Sequence, residues 1–148
     1  MTDAEEADAA LAEHGAALSE AIVAVLPAWA SRVVAAHRPD LAEAGAAAGK
    51  EAAAALGPRL RTLLAADVDE QRMNPLALAR QAVAWPTAVL QAAGVAPVRR
   101  DDHDRAHFPD DLYGLTPMSF AELDPSLHEP GILWGAIKAR AHLLRHQR

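Results

Sequence analysis

The sequence predicts an all-α protein, a single-domain helical bundle of about four to six helices spanning residues 1–148. A long Pro/Asp-rich segment is expected to wrap that bundle. Three observations carry the expectation. Apolar residues recur at helical spacing in every long segment, and strand-like alternation survives only at residues 94–99. Alanine supplies 37 of the apolar residues and the larger apolar types 39, so few bulky side chains must pack across many small ones, which favours closely spaced helices. Caps followed by proline, and Gly-Pro or X-Pro pairs, cut the chain into helix-length pieces.

Residues 1–66 read as alanine-rich helices. Thr2 with Glu5 has capping-box spacing. Ile22, Val25, Leu26, Trp29 and Val33 then form one apolar stripe. Pro27 interrupts it, so either the helix kinks there or one helix stops near Val25 and another starts with Pro27 in its first turn. Arg38-Pro39 ends the segment, because a residue preceding proline avoids the helical region. Asp40 with Glu43 predicts a second start, for a helix reaching Leu56 and closed by Gly57-Pro58. Within it Gly45 and Gly49 stand four apart. That spacing suits a close-packed or dimer-forming helix, against a default of compositional drift on an exposed helix. A short helix from Pro58 carries Leu60, Leu63 and Leu64 and frays at Asp67.

A central helix is expected over 74–94, opened by Asn74-Pro75 and closed by Gly94 in a left-handed cap. Its stripe is Leu78, Ala82, Trp85 and Val89, and Pro86 predicts a kink near Trp85. Residues 95–131 form the irregular segment. Thr116-Pro117 and Asp124-Pro125 each predict a short helical turn, and Phe108, Leu112, Tyr113, Leu115, Phe120 and Leu123 are expected to pin the segment down. The C-terminal helix is expected over 130–147 with Leu133, Ile137, Ala141 and Leu144 facing inward.

The net charge of −6 is laid out in blocks of −6 (1–57), +3 (58–100), −7 (101–131) and +4 (132–148). Such blocks either pair acidic helices with basic ones or form solvated faces. Without cysteine there is no disulfide, thiol nucleophile or zinc-thiolate site, and the composition suits a reducing cytoplasm. No run of 18 apolar residues occurs, and the N-terminus is acidic where a signal peptide would be basic, so a soluble, untargeted chain without membrane contact is expected.

The sharpest chemical lead is His103 and His107, four apart, so that both imidazoles share one face of a helix and can hold a metal ion. His-Asp-Arg-Ala-His has the spacing of the H-E-x-x-H zinc-hydrolase signature, with the shorter Asp104 in place of glutamate. His128 is a candidate third ligand, and Glu129, Asp110 and Asp111 are others, although none has a diagnostic spacing. The alternative is a charged surface turn cut short by Pro109. His142 and His146 fit a cationic helix end, where positive charge complements the dipole. No serine lies in G-x-S-x-G, and neither G-x-G-x-x-G nor a P-loop is present. Core packing is the default for Trp29, Trp85 and Trp134, with a ligand pocket lined by Trp85 and Tyr113 as the alternative.

The strings Phe-Pro-Asp-Asp-Leu-Tyr-Gly-Leu-Thr-Pro (108–117) and His-Glu-Pro-Gly-Ile-Leu-Trp-Gly-Ala-Ile-Lys-Ala (128–139) resemble a small α-helical family of GC-rich Gram-positive bacteria, over roughly residues 70–145. The resemblance implies a bacterial helical protein and attaches no activity, ligand or site residue.

These features point to a non-enzymatic protein-interaction or regulatory module, acting on a protein partner or as a homo-oligomer and needing no cofactor. The alternatives are a metal-binding or metal-dependent enzyme using a divalent ion at His103 and His107, and a DNA-associated regulator using the basic C-terminal helix. The overall acidity, with a sequence pI near 5.6, argues against nucleic acid.

Overall fold

The computed structural model describes residues 2–66 and 75–146, and among them every regular element is helical. Helix α1 spans Asp3–His37. The expected capping box opens it: Thr2 Oγ1 accepts the Glu5 N–H at 3.2 Å, and the Glu5 carboxylate accepts the Thr2 N–H at 2.9 Å. Of the two readings of Pro27, a break is ruled out, since α1 runs on through it. Leu26, Trp29, Ala30 and Val34 continue the buried stripe of Leu11, Leu18 and Ile22, and that burial outweighs the roughly 3 kcal/mol an interior proline costs. An 18-residue window of α1, with mean hydropathy 1.4, is long and apolar enough to cross a membrane by composition alone. In this fold its apolar stripe belongs to the core.

A 3-10 turn, Pro39–Leu41, leads into α2, Ala42–Ala66. Asp40 does not start α2 as expected. It lies inside the turn and pairs with Arg38 at 2.8 Å. Nor does Gly57-Pro58 close the helix. Gly57 does not have the positive φ of a left-handed cap, and the stripe Ala52, Leu56, Leu60, Leu64 carries α2 onward into the core. The expected fray at Asp67 and the Asn74 cap lie outside the described residues.

Among the described elements α1 and α2 share the most extensive packing, and its geometry depends on glycine. A Cβ on Gly49 would stand 2.5 Å from Leu26 O and from Pro27 Cα, and one on Gly45 would stand 2.9 Å from Ala30 O. At the other end a Cβ on Gly15 would collide with the Leu64 carbonyl of α2. The four-residue glycine spacing is therefore a close-packing device within the chain, and Ala48, Ala52 and Ala53 beside it are buried, not drifting on an exposed face.

The central helix is divided in two: α3, Pro75–Arg80, and α4, Ala84–Ala92, joined by a 3-10 turn at Gln81–Val83. The distortion expected near Trp85 lies just before it, in the turn ahead of Pro86, whose ring crowds the carbonyl four residues back. Gly94 adopts φ 75 as expected, with Gly94 N–H donating to Gln91 O and Val95 N–H to Leu90 O.

Two short helices, α5 (Asp102–His107) and α6 (Phe120–Leu123), interrupt the irregular stretch. Asp124-Pro125 gives the expected turn, Pro125–Leu127, with Asp124 accepting the Ser126 N–H at 2.9 Å. Thr116-Pro117 does not form one: Ser119 caps α6 instead, and Pro117 O accepts from Arg80 Nε at 2.9 Å. The stretch wraps the bundle because helix side chains donate to carbonyls it cannot pair internally. Arg32 donates to Leu123 O at 2.9 Å and His37 Nε2 to Tyr113 O at 3.1 Å. Tyr113, Leu115 and Leu123 bury themselves beneath it, with Leu112 and Phe120 half-buried.

Helix α7 spans His128–His146 and packs on α1. Trp134 and Ala141 face the core, with Ile137 and Leu144 at the margin. Leu133 does not face inward as expected. It is 49% exposed, one position out of phase with the buried stripe. The Trp134 indole N–H donates to Leu64 O of α2 at 2.9 Å and so ties α7 to that helix. Charge blocks meet at Glu20–Arg61 (3.3 Å) and Asp8–Arg145 (3.2 Å), but these exposed pairs contribute at most about 1 kcal/mol each.

Gly49→Ala is expected to lower unfolding free energy by about 1–3 kcal/mol or more, because two backbones must separate. Gly135→Ala on α7, where a Cβ meets nothing within 4 Å, is expected to raise it by about 0.5–1 kcal/mol through helix propensity. Urea unfolding of the two variants checks the contrast. Equal effects would contradict the close approach.

Candidate functional site

His103 and His107 lie on α5 as the spacing requires, with ring centroids 4.1 Å apart. Both are exposed. His107 Nδ1 donates to His103 O at 2.9 Å, which leaves Nε2 as its available lone pair. The Asp104 side chain is outside the described residues. His128 sits exposed at the first residue of α7. Among the described residues, no group of three or more His, Asp or Glu side chains gathers around a metal-sized point. The structure thus brings together two of the three sequence-selected residues and leaves His128 apart from them.

Asp111 has a different role from ligation. It is buried, and its carboxylate accepts the Leu115 N–H at 2.9 Å, the Thr116 N–H at 2.8 Å and the Thr116 hydroxyl at 2.6 Å. Burial pushes its carboxyl pKa upward, but these hydrogen bonds, together with that from the Tyr113 backbone, outweigh burial and hold it below the usual carboxylate range. Asp111 thereby shapes the 108–117 loop as a side-chain-capped turn.

That loop forms one wall of a cleft of about 650 Å³, the size of a small-molecule site. The opposite wall is helical. Arg80, Ala84, Thr87 and Gln91 stand at intervals of four, three and four residues and all line it. Trp85 and Phe108, both half-buried, supply aromatic surface. The Arg80 guanidinium lies over the Phe108 ring, 5.4 Å from its centroid. Its described hydrogen bond runs to the Pro117 carbonyl, and no described carboxylate pairs with it. Thr87 is 7% exposed, and its Oγ1 is buried without a hydrogen-bond partner. A buried hydroxyl left unpaired costs about 1–3 kcal/mol.

Of the pocket suggested by the sequence, Trp85 is present and Tyr113 is not. Tyr113 is buried behind the loop with its hydroxyl donating to Val95 O at 2.7 Å. Arg80, Thr87 and Phe108 are missed by sequence reasoning. The only available signal was the helical spacing of Arg80, Thr87 and Gln91, a pattern that a solvated face shows equally well.

The outer side of α7 carries a second apolar stripe, opposite the core-facing one. Ile132 (60% exposed) and Leu143 (66% exposed) bracket the exposed Ala136 and Ala139. No protein-family model matches the chain, and neither a curated protein nor a solved structure is significantly similar to it.

Asp111→Asn is expected to cost about 1–3 kcal/mol at neutral pH. Because the native pKa is depressed, this contribution is complete above the unfolded value of about 3.9 and is lost as pH falls through the native value. Denaturant unfolding from pH 7 downward should show the gap between wild type and variant closing below about pH 4. A gap that does not change with pH would contradict the ionised role.

Proposed function

We propose that the protein is a non-enzymatic interaction module that pairs with a second copy of itself through the outer face of α7. The exposed stripe Ile132, Ala136, Ala139 and Leu143 carries this reading. Its intervals of four, three and four read the same in both directions. A two-fold axis between positions 137 and 138 therefore sets Ile132 against the partner's Leu143, and Ala136 against the partner's Ala139. The central alanines permit close approach. An antiparallel pair also opposes the helix dipoles and brings the Glu129 end of one copy beside the basic last turn of the other.

A 19-residue helix is about 28 Å long. One helix pair therefore buries less than the roughly 1,600 Å² of a standard interface, so the dimer is weak and concentration-dependent. The same proposal places the chain in the cytoplasm, in keeping with its cysteine-free composition and with an α1 whose apolar stripe is committed to the core. It also groups the chain with the helical bacterial family that its C-terminal third resembles.

Sedimentation equilibrium tests the pairing. Wild type is expected to shift from 15.7 kDa toward twice that mass as concentration rises. Ile132→Glu combined with Leu143→Glu should stay monomeric with unchanged helicity. A wild type that remains monomeric at its highest soluble concentration would overturn the proposal. If that monomer retarded duplex DNA in a salt-dependent manner, the nucleic-acid reading of α7 would replace it.

A further inference from the structure

We infer that His103 and His107 on α5 form a two-nitrogen chelate for a divalent late transition ion, copper(II) above all. Two imidazoles each held about 2.1 Å from one ion at neighbouring coordination positions have ring centroids roughly 4–5 Å apart. The His103 and His107 centroids already stand 4.1 Å apart, and both side chains are exposed, so an ion reaches them without disturbing the fold. The hydrogen bond from His107 Nδ1 to His103 O also fixes the tautomer, leaving the lone pair on Nε2. A bond of this kind, from the second ring nitrogen to a carbonyl, orients a ligating histidine and makes it more basic. Imidazole donors suit copper, nickel and zinc, and copper(II) heads that series.

The chain holds a second pair at the same spacing, His142 and His146 on α7, with ring centroids 4.6 Å apart. Geometry does not separate the two pairs, but charge does. Residues 99–111 carry five aspartates against three arginines, and two of those arginines are engaged: Arg105 pairs with Asp102, and Arg100 donates to the Phe108 carbonyl. Residues 136–148 carry four basic side chains and no acidic one, which repel a divalent cation. Such fields reach about 8–10 Å at ordinary salt, far enough for these neighbours to decide which pair is the tighter. The α5 chelate uses none of the residues on the outer face of α7, so it stands or falls independently of the dimer.

Isothermal titration of the full chain with copper(II) chloride in a non-coordinating buffer tests the assignment. One ion per chain is expected at the tightest site, with micromolar affinity. His103→Ala and His107→Ala should each weaken that site by about tenfold or more, because a chelate becomes a single imidazole. The double variant His142→Ala with His146→Ala should leave it unchanged. All four side chains are exposed, so every variant should keep the helicity of wild type by circular dichroism. Nickel(II) should occupy the same site more weakly, and magnesium, which prefers oxygen donors, should not compete. The inference is overturned if copper binds no tighter than millimolar, if either α5 substitution leaves the affinity unchanged, or if the α7 double variant loses the tightest site.

Discussion

The contact on which the rest of the molecule depends is the backbone-to-backbone approach of α1 and α2 at Gly15, Gly45 and Gly49. A chain with this much alanine cannot fill a wide inter-helix space, because methyl groups offer few contacts beyond their own radius. Bringing the helices so close that any Cβ would collide turns the deficit into an advantage, since main-chain atoms themselves become packing surface. The bulky residues are then used where the gap widens, with Trp29, Leu26 and Leu60 completely enclosed. The same approach explains why two prolines are tolerated inside long helices. Pro27 lies directly opposite Gly49, where α2 fits against its Cα, and burial on both sides of each proline outweighs the missing hydrogen bond.

The remaining elements attach to this pair through side-chain donors aimed at backbone carbonyls. Trp134 anchors α7 to α2 at Leu64 O, the carbonyl that Gly15 also approaches. Arg32 and His37 on α1, and Arg80 at the end of α3, reach carbonyls of the wrapping segment. Arg80 thus has two roles: its Nε fixes the loop while its guanidinium lies over Phe108 inside the cleft. Asp111 completes the arrangement from within the loop. The cleft is therefore a consequence of how an irregular segment obtains its hydrogen bonds, and its polar groups sit where the segment is tethered.

Legibility in the sequence follows the range of the interactions. The box at Thr2 and Glu5, the left-handed Gly94 and the Asp124-Pro125 turn are local, each decided within five residues, and each is readable. The stop expected at Gly57-Pro58 fails, and the choice left open at Pro27 between a kink and a break is settled against the break, for the opposite reason: only a neighbouring helix makes continuation favourable, and no local pattern announces it. Asp40 is misread because a 3-10 turn precedes α2, and Leu133 by one position of helical phase, because the neighbouring Trp134 takes the core-facing place and bonds to α2. At the candidate site, spacing alone places His103 beside His107. Thr87 and Arg80 become conspicuous only through what is absent around them, which a sequence does not record.

Native-state hydrogen exchange tests most directly whether the glycine seam holds the fold together. If it does, amides on the facing stretches of α1 (residues 18–34) and α2 (residues 45–64) exchange only through global unfolding. They should then share one opening free energy, equal to that from denaturant unfolding, while α5 and the 95–118 loop open locally at lower cost. Slower exchange in α4 or α7 than along the seam, or independent opening of α2 from α1, would show that the two helices are not the unit on which the rest is built.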